Sequence, residues 1–246
     1  MNNGFFGFPL ADLNKSAGDK VNVSGRLLRI TTLTTSGNWV KQKDVGYIIV
    51  ELLGGGGGGG GSQGVANFSC NAASGAGGGG CRKKIMATAL ADSEAITIGI
   101  GGTGGLSTPT SGSQGGTTSF GTHCSASGGE GGFYTISASS GVTGFTALGG
   151  VGMGGDINFR GSPGFNVGTQ YGSYCSSAPA GNGALPIGGP GARGYNLKNI
   201  TDASDGDDAT ANSGGGGGGG VSAYSAASNR SGGDGGSGLC VVYEYS

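Results

Sequence analysis

The chain has 246 residues, of which 63 are glycine and 6 are proline; 11% are charged, and the formal net charge is −1. A glycine and proline content this high usually signals low complexity or disorder. The near-zero net charge argues against nucleic-acid binding, which requires a basic surface, and against disorder driven by charge repulsion. An apolar content of 35% also argues against disorder, because disordered chains usually combine high net charge with few apolar residues.

The first segment, 1–36, is not rich in glycine, and we expect it to be an attachment segment preceding a glycine-rich domain over 37–246. Within it, "VNVSGRLLRITTLTTSG" places Leu28, Ile30 and Leu33 in a pattern that indicates a strand. The segment has no basic start followed by an apolar leader, and the chain has no stretch of about 20 apolar residues. We therefore expect assembly in a cytoplasm.

Three further segments predict strands. "DVGYIIVELL" (44–53) is apolar on both faces, as in a buried strand. "KKIMATAL", "ADSE" and "AITIGI" predict a hairpin with Ile96, Ile98 and Ile100 on one face. The C-terminal "GLCVVYEYS" predicts a closing strand, with one face formed by Leu239, Val241, Tyr243 and Tyr245.

Glycine tracts separate these strands, at 54–61, 74–80, 99–105, 128–132, 149–155, 188–194, 214–220 and 232–238. Polyglycine can form an extended three-fold helix of the polyproline II type. Several such helices side by side can exchange backbone hydrogen bonds and Cα–H···O contacts, so the tracts predict a rigid stack. The alternative is a set of flexible linkers; collagen is excluded because no strict Gly-X-Y period runs.

The order of motifs resembles the glycine-rich tip domain of tail fibres and receptor-binding proteins of tailed bacteriophages. The similarity covers 39–246 and depends on two elements. One is "GSQGGTTSFG", with Gly112, Gly115 and Thr118 to Gly121; the other is A-x-G-G-x-G-G, from Ala126 to Gly132. The sequence is also similar in style to T-even tip adhesins, although their distinctive N-terminal domain is not visible in it.

The resemblance implies an all-β fold, a jelly-roll-like β-sandwich combined with stacked polyglycine II helices and long loops. It implies a non-enzymatic virion protein at the fibre tip that adsorbs the particle to a protein, pilus or glycan of a bacterial surface. Residues 1–36 would join other fibre or baseplate proteins, and a homotrimer is expected, with a monomeric cap as its variant. Alternatives are a baseplate or head decoration protein and, in a different class, an ice-binding protein.

Receptor contacts are expected in aromatic or polar segments between tracts, because Tyr and Arg are enriched at binding hot spots. The first such segment, 157–183, contains Arg160, Tyr171 and Tyr174; for the two tyrosines, contact and core are both open interpretations. Tyr134 lies in a second segment, 132–145, and Tyr195 in a third, 192–200. The two phenylalanines of the first segment, Phe159 and Phe165, are expected to fill core.

No cofactor, metal or catalytic site is predicted. Asp202, Asp205, Asp207 and Asp208 could supply some oxygen ligands to calcium, but the spacing is not that of an EF-hand, which favours a solvated acidic loop. His123 is the only histidine, and "GGSQG" (60–64) matches G-x-S-x-G without a following helix. The five cysteines fit reduced, buried thiols, with a Cys70–Cys81 bridge as the alternative.

Overall fold

The computed structural model describes residues 25–64, 70–108, 110–134, 146–165, 177–195, 197, 199, 201–223, 226 and 228–246. The fold is all-β, as predicted, and combines a β-sandwich with a bundle of extended glycine-rich rods. In this part of the chain, no helix has the length and apolar character needed to cross a membrane.

Two antiparallel sheets of five strands each form the sandwich in the described residues. The first has the order β1-β13-β3-β5-β10, formed by Leu27–Leu33, Leu239–Tyr245, Tyr47–Leu53, Gly80–Met86 and Ile157–Phe159. The second has the order β2-β6-β7-β8-β9, formed by Gly37–Val40, Ser93–Thr97, Thr118–Phe120, Cys124–Ala126 and Gly152–Met153. The C-terminal strand therefore does close the sheet, between β1 and β3.

The hydrophobic core lies between these sheets, because alternate residues of each strand point to it. The first sheet contributes Ile48, Val50, Leu52, Cys81, Ile85, Cys240 and Val242, and the second contributes Trp39, Ile96, Phe120, Cys124 and Ala126. Part of the segment 1–36 belongs to this sandwich, since Leu27–Leu33 pairs with β13. Residues 1–24 lie outside the described residues.

The predicted hairpin at 83–100 is wrong. Strand β5 pairs with β3 and β10 in the first sheet, whereas β6 pairs with β2 and β7 in the second. A short 3-10 turn, Ala87–Ala89, lies between them. The expected common face also ends early, because Ile96 and Ile98 are buried but Ile100 is 75% exposed. At that point the backbone has changed from the two-residue period of a strand to the three-residue period of a rod.

Three buried thiols lie in the sandwich among the described residues, Cys81, Cys124 and Cys240, and all are free. Burial raises the pKa of the Cys240 thiol to about 12. Cys81, the second residue of β5, is a free thiol. The alternative Cys70–Cys81 bridge is therefore not formed.

A buried carboxylate ties three strands together at one edge of the core. Glu244 of β13 is fully buried. It accepts hydrogen bonds from Arg29 Nε of β1 at 2.8 Å and from Trp39 Nε1 of β2 at 3.0 Å. Arg29 is also its ionic partner, so the charge of Glu244 is compensated although water does not reach it.

Twelve rods form the bundle in the described residues, each identified by backbone hydrogen bonds to its neighbours. In chain order, rods 1 to 12 cover 54–61, 72–79, 99–105, 110–117, 127–133, 147–150, 161–165, 177–183, 188–194, 205–210, 214–220 and 231–238. Odd-numbered rods run away from the sandwich and even-numbered rods return. The far ends of the rods are therefore joined by six connections, which we call the distal end.

Rod 1 shows the three-residue period of polyglycine II directly. The amides of Gly54, Gly57 and Gly60 donate to rod 2, those of Gly55, Gly58 and Gly61 donate to rod 4, and those of Gly56 and Gly59 donate to rod 12. Its carbonyls accept from rods 3, 5 and 11. Rod 1 thus has six hydrogen-bonded neighbours, and rods 2 and 11 have six as well. The predicted stack is confirmed, and the flexible-linker alternative is wrong.

The rods approach so closely that rod 1 has no space for side chains. A Cβ atom built on any residue from Gly54 to Gly61 would lie 1.9–2.2 Å from a neighbouring backbone oxygen. Such an overlap requires one of the rods to move, since the obstructing atom is backbone. Outer rods have a free side, so rod 3 carries exposed side chains at Ile100 and Thr103, and the same three-residue spacing continues to the exposed Leu106 just beyond the rod.

We predict that Gly58→Ala destabilises the protein strongly. The new Cβ would lie 2.1 Å from the Thr103 oxygen, and overpacking of this kind typically costs about 1–3 kcal/mol or more. A loss near 3 kcal/mol should lower the midpoint of thermal unfolding by roughly 6–12 °C in a chain of this size. Differential scanning calorimetry measures it.

The matched control is Gly37→Ala in β2, where a Cβ would meet no atom within 4 Å. This change should be neutral or stabilising by up to about 1 kcal/mol, because alanine loses less backbone freedom on folding. Equal midpoints for the two variants would contradict the packed-rod interpretation.

We predict that Arg29→Ala destabilises the sandwich by about 3–5 kcal/mol, because it leaves the buried Glu244 carboxylate without its ionic partner. The control is Asp92→Asn, which removes the charge of a fully exposed carboxylate paired with Lys41 and should leave stability nearly unchanged. Denaturant unfolding of both variants gives the comparison; a cost for Arg29→Ala no larger than that for Asp92→Asn would refute the prediction.

Candidate functional site

The distal end is the part of the molecule where side chains can cluster outside the core. It consists of the connections 62–71, 106–109, 134–146, 166–176, 195–204 and 221–230, together with the adjoining rod ends. Several residues of these connections lie outside the described residues. Within the described ones, exposed apolar side chains are prominent, and we call Leu106, Phe133, Tyr134 and Phe165 the distal apolar group.

The distal apolar group combines exposed side chains with ordered backbone. The side chains of Phe133, Tyr134 and Phe165 are 43–47% exposed. The Phe133 carbonyl accepts from Ala73 N at 3.0 Å, and the Phe165 carbonyl accepts from the next amide of rod 2 at 3.1 Å. The two phenylalanines are thus anchored by their backbones at neighbouring positions of one rod, with their rings partly in solvent.

A small sheet supports another part of the distal end. Its strands have the order β11-β12-β4 and cover Ala203–Ser204, Val221–Ser222 and Cys70–Asn71. Val221 and Ala223 pack with Leu197 in a second apolar cluster, and Tyr195 packs against it. These contacts tie three distal connections to one another.

Tyr195 is partly a structural residue. Its hydroxyl donates a hydrogen bond to the Asp207 carboxylate, and Arg193 lies 3.5 Å from the other oxygen of that carboxylate. The hydrogen bond, followed by partial burial, raises the pKa of the Tyr195 phenol, since ionisation would place two negative charges side by side. Tyr195 is half-buried.

The acidic segment 202–208 serves the outer rods. Asp205 accepts a hydrogen bond from the amide of Ser231 at 2.8 Å, and Asp208 accepts one from Asp234 N at 2.7 Å. These amides belong to rod 12, at the edge of the bundle. There the carboxylate oxygens act as hydrogen-bond acceptors in place of the backbone carbonyls of a neighbouring rod. Within the described residues, no group of His, Cys, Asp or Glu has the arrangement of a metal site.

The structure separates the residues predicted from sequence to contact a receptor. Tyr134 and Tyr195 lie at the distal end. Arg160 lies at the sandwich end of rod 7, where its Nη1 donates to the Gly149 carbonyl at 2.9 Å. Tyr171 and Tyr174 lie outside the described residues. Arg160 therefore does not share a surface with Tyr134 and Tyr195.

Sequence reasoning missed three members of the distal apolar group. Phe165 was expected in the core, and that prediction is wrong, since it is 47% exposed; Phe159 is half-buried. Leu106 and Phe133 were not singled out. Their signal is positional, because each directly follows the last glycine of a tract that runs away from the sandwich.

His123 and Ser62, the residues that match catalytic patterns in the sequence, both lie in structural surroundings. His123 Nε2 lies 3.1 Å from Glu94 Oε1, and its ring lies 6.0 Å from that of Phe120. Ser62 is fully buried at the end of rod 1, and its backbone exchanges two hydrogen bonds with Arg230. Both residues therefore help to hold the fold.

Comparison with known protein families gives one match. A family model described as a glycine-rich domain matches residues 31–245. No curated protein matches the chain. The family match begins within β1 and ends at the last residue of β13, so it covers the sandwich and the rod bundle together.

We predict that Tyr195→Phe lowers stability by about 1 kcal/mol near pH 8, through loss of the hydrogen bond to Asp207. Because the folded-state pKa of Tyr195 is raised, this contribution is present below the ordinary tyrosine pKa of about 10 and is lost as the pH rises through the folded-state value. The difference between wild type and variant should therefore shrink in alkaline solution.

Denaturant unfolding at several pH values measures this difference, and Tyr134→Phe is the control. The Tyr134 ring is 45% exposed, and its hydroxyl has no hydrogen-bond partner among the described residues, so no change is expected. A stability difference for Tyr195→Phe that is absent at pH 8, or that grows in alkali, would contradict the assignment.

Proposed function

The chain belongs to the glycine-rich domain family, and from this premise we propose that it is a phage virion protein that attaches the particle to a bacterial surface. The observation that carries the proposal is the distal apolar group, in which partly exposed aromatic rings stand on hydrogen-bonded rod ends. Exposed aromatic residues on an ordered base are typical of binding hot spots. The resemblance to tail-fibre tip domains supplies the biological setting.

The distal end is well suited to recognition, because its connections can vary without disturbing the rods. Rod 1 is fixed by contacts with six neighbours, and none of these contacts depends on the sequence of a connection. The connections therefore share a base that is ordered before a receptor arrives. Ordering a binding segment in advance reduces the entropy lost on association.

The sandwich lies at the opposite end of the rods from the distal end. We propose that it joins the protein to a fibre or baseplate protein through the segment 1–36. Rods 1, 2 and 11 each have six hydrogen-bonded neighbouring rods from the same chain. The bundle therefore needs no second copy of the protein to fill these positions. A homotrimer on the fibre would then act by avidity, since linked copies bind more tightly without new contacts. Sedimentation equilibrium separates this trimer from a monomeric cap.

We predict that the purified protein binds cells of susceptible strains in a panel of bacteria, and that Tyr134→Ala weakens this binding by roughly tenfold or more, as expected for a hot-spot aromatic. Tyr171→Ala and Tyr174→Ala belong in the same series. Flow cytometry with labelled protein measures the affinity for whole cells.

The control is Met86→Ala, which shortens a side chain of similar exposure, 53% against 45% for Tyr134, at the sandwich end. It should leave cell binding unchanged. An equal effect of Met86→Ala and Tyr134→Ala would contradict a distal binding surface, and absence of binding to any strain that the phage infects would contradict the adsorption role.

A further inference from the structure

A pocket of about 440 Å³ opens beside the edge strand β10, at the sandwich end of the bundle. It lies between the start of rod 7 and the turn that joins rods 8 and 9. Its walls include the apolar side chains of Phe159, Leu185 and Pro190, and its polar side chains are Arg160, Ser162 and Asn182. A volume of this size is typical of small-ligand sites.

The polar side chains of the pocket offer hydrogen-bond donors. Arg160 uses Nη1 to bond the Gly149 carbonyl, and the Nε and Nη2 edge of its guanidinium has no hydrogen-bond partner among the described residues. No carboxylate of the described residues lies within 4.0 Å of it. Asn182 accepts the Gly191 amide with Oδ1 at 3.0 Å, so its Nδ2 group is available to donate.

This arrangement selects the chemistry of the ligand. The free guanidinium edge presents two parallel N–H groups, which match the two oxygens of a planar carboxylate. One arginine balances the single charge of a carboxylate, whereas a phosphate monoester carries up to two. The donors of Asn182 and Ser162 suit hydroxyl oxygens, and the apolar walls suit the C–H face of a sugar ring.

We propose that this pocket binds a carboxylated sugar, such as a hexuronic acid unit of a bacterial surface glycan. Arg160 holds the carboxylate, Asn182 and Ser162 bond hydroxyl groups, and the ring lies against Phe159 and Pro190. The site is separate from the distal end, and sugar binding is measured without cells. A failure of the adsorption proposal would therefore leave it standing, and the reverse also holds.

The test is calorimetric titration of the full chain with D-glucuronate and, separately, with D-glucose. Saturable glucuronate binding is expected in roughly the millimolar range, with glucose at least about tenfold weaker. Arg160→Gln should weaken glucuronate binding by about tenfold or more, because it removes the charged fork. Arg193→Gln is the matched control, since that side chain is 89% exposed and lies outside the pocket; it should change nothing.

Two further variants test the roles of the individual side chains. Arg160→Lys retains the charge without the fork and should also weaken binding, and Asn182→Ala should weaken glucuronate and glucose alike. Equal affinity for the two sugars, unchanged binding by Arg160→Gln, or no glucuronate binding by the wild type would overturn the proposal. Stronger competition by inorganic phosphate than by acetate would overturn the choice of a carboxylate.

Discussion

The close approach of one backbone to another in the rod bundle is the constraint on which the rest of the structure depends. At Gly56, a Cβ atom would lie 1.9 Å from a backbone oxygen of rod 11, and the other glycines of rod 1 are as tightly placed. Hydrogen bonds and Cα–H···O contacts at such separations offset the loss of conformational freedom that makes glycine costly elsewhere. A long run of glycine is therefore a packing requirement in this chain.

The sandwich sets the order of the rods. Strands β3 and β5 pair up to Leu53 and Gly80, and the next hydrogen bond joins Gly54 of rod 1 to Gly79 of rod 2. In the same way, β7 and β8 continue as rods 4 and 5, where Gly115 bonds Gly129. Neighbouring strands thus become neighbouring rods. Because the two sheets already face each other across the core, rod 1 of one sheet lies directly beside rods 3, 4 and 5 of the other.

The inner rods of the bundle are easier to predict from the sequence than the outer rods. The run 54–61 identifies rod 1, since only glycine fits a rod with six neighbours, and β3 and β13 follow from their apolar patterns. Rods 4 and 8 are not predicted from the sequence. As outer rods they accept side chains, such as those of Ser113 and Pro179, and a segment with such residues has the composition of a loop. The pairing of β5 with β3 is not predictable either. The short segment between β5 and β6 is typical of a hairpin turn, but in the structure its turn at 87–89 connects one sheet to the other. The predicted contact segments that contain Tyr134 and Arg160 follow one another in the sequence, yet the two residues lie at opposite ends of the bundle. Tyr134 follows the far end of rod 5, whereas Arg160 precedes the start of rod 7, and composition does not encode these rod directions.

The same geometry explains why recognition is better placed at the rod ends than along the rod sides. On an outer rod one side chain points outward per turn, as Ile100 and Thr103 do in rod 3, and a turn of three residues rises about 9 Å. Side chains at that spacing are too sparse to enclose a ligand. At the distal end the described parts of the connections place side chains over the ends of closely packed rods, and at the sandwich end residues beside β10 and at the ends of rods 7, 8 and 9 line a pocket. Both places are where the regular lattice of backbone stops, and there the chain regains the freedom to bring different side chains together.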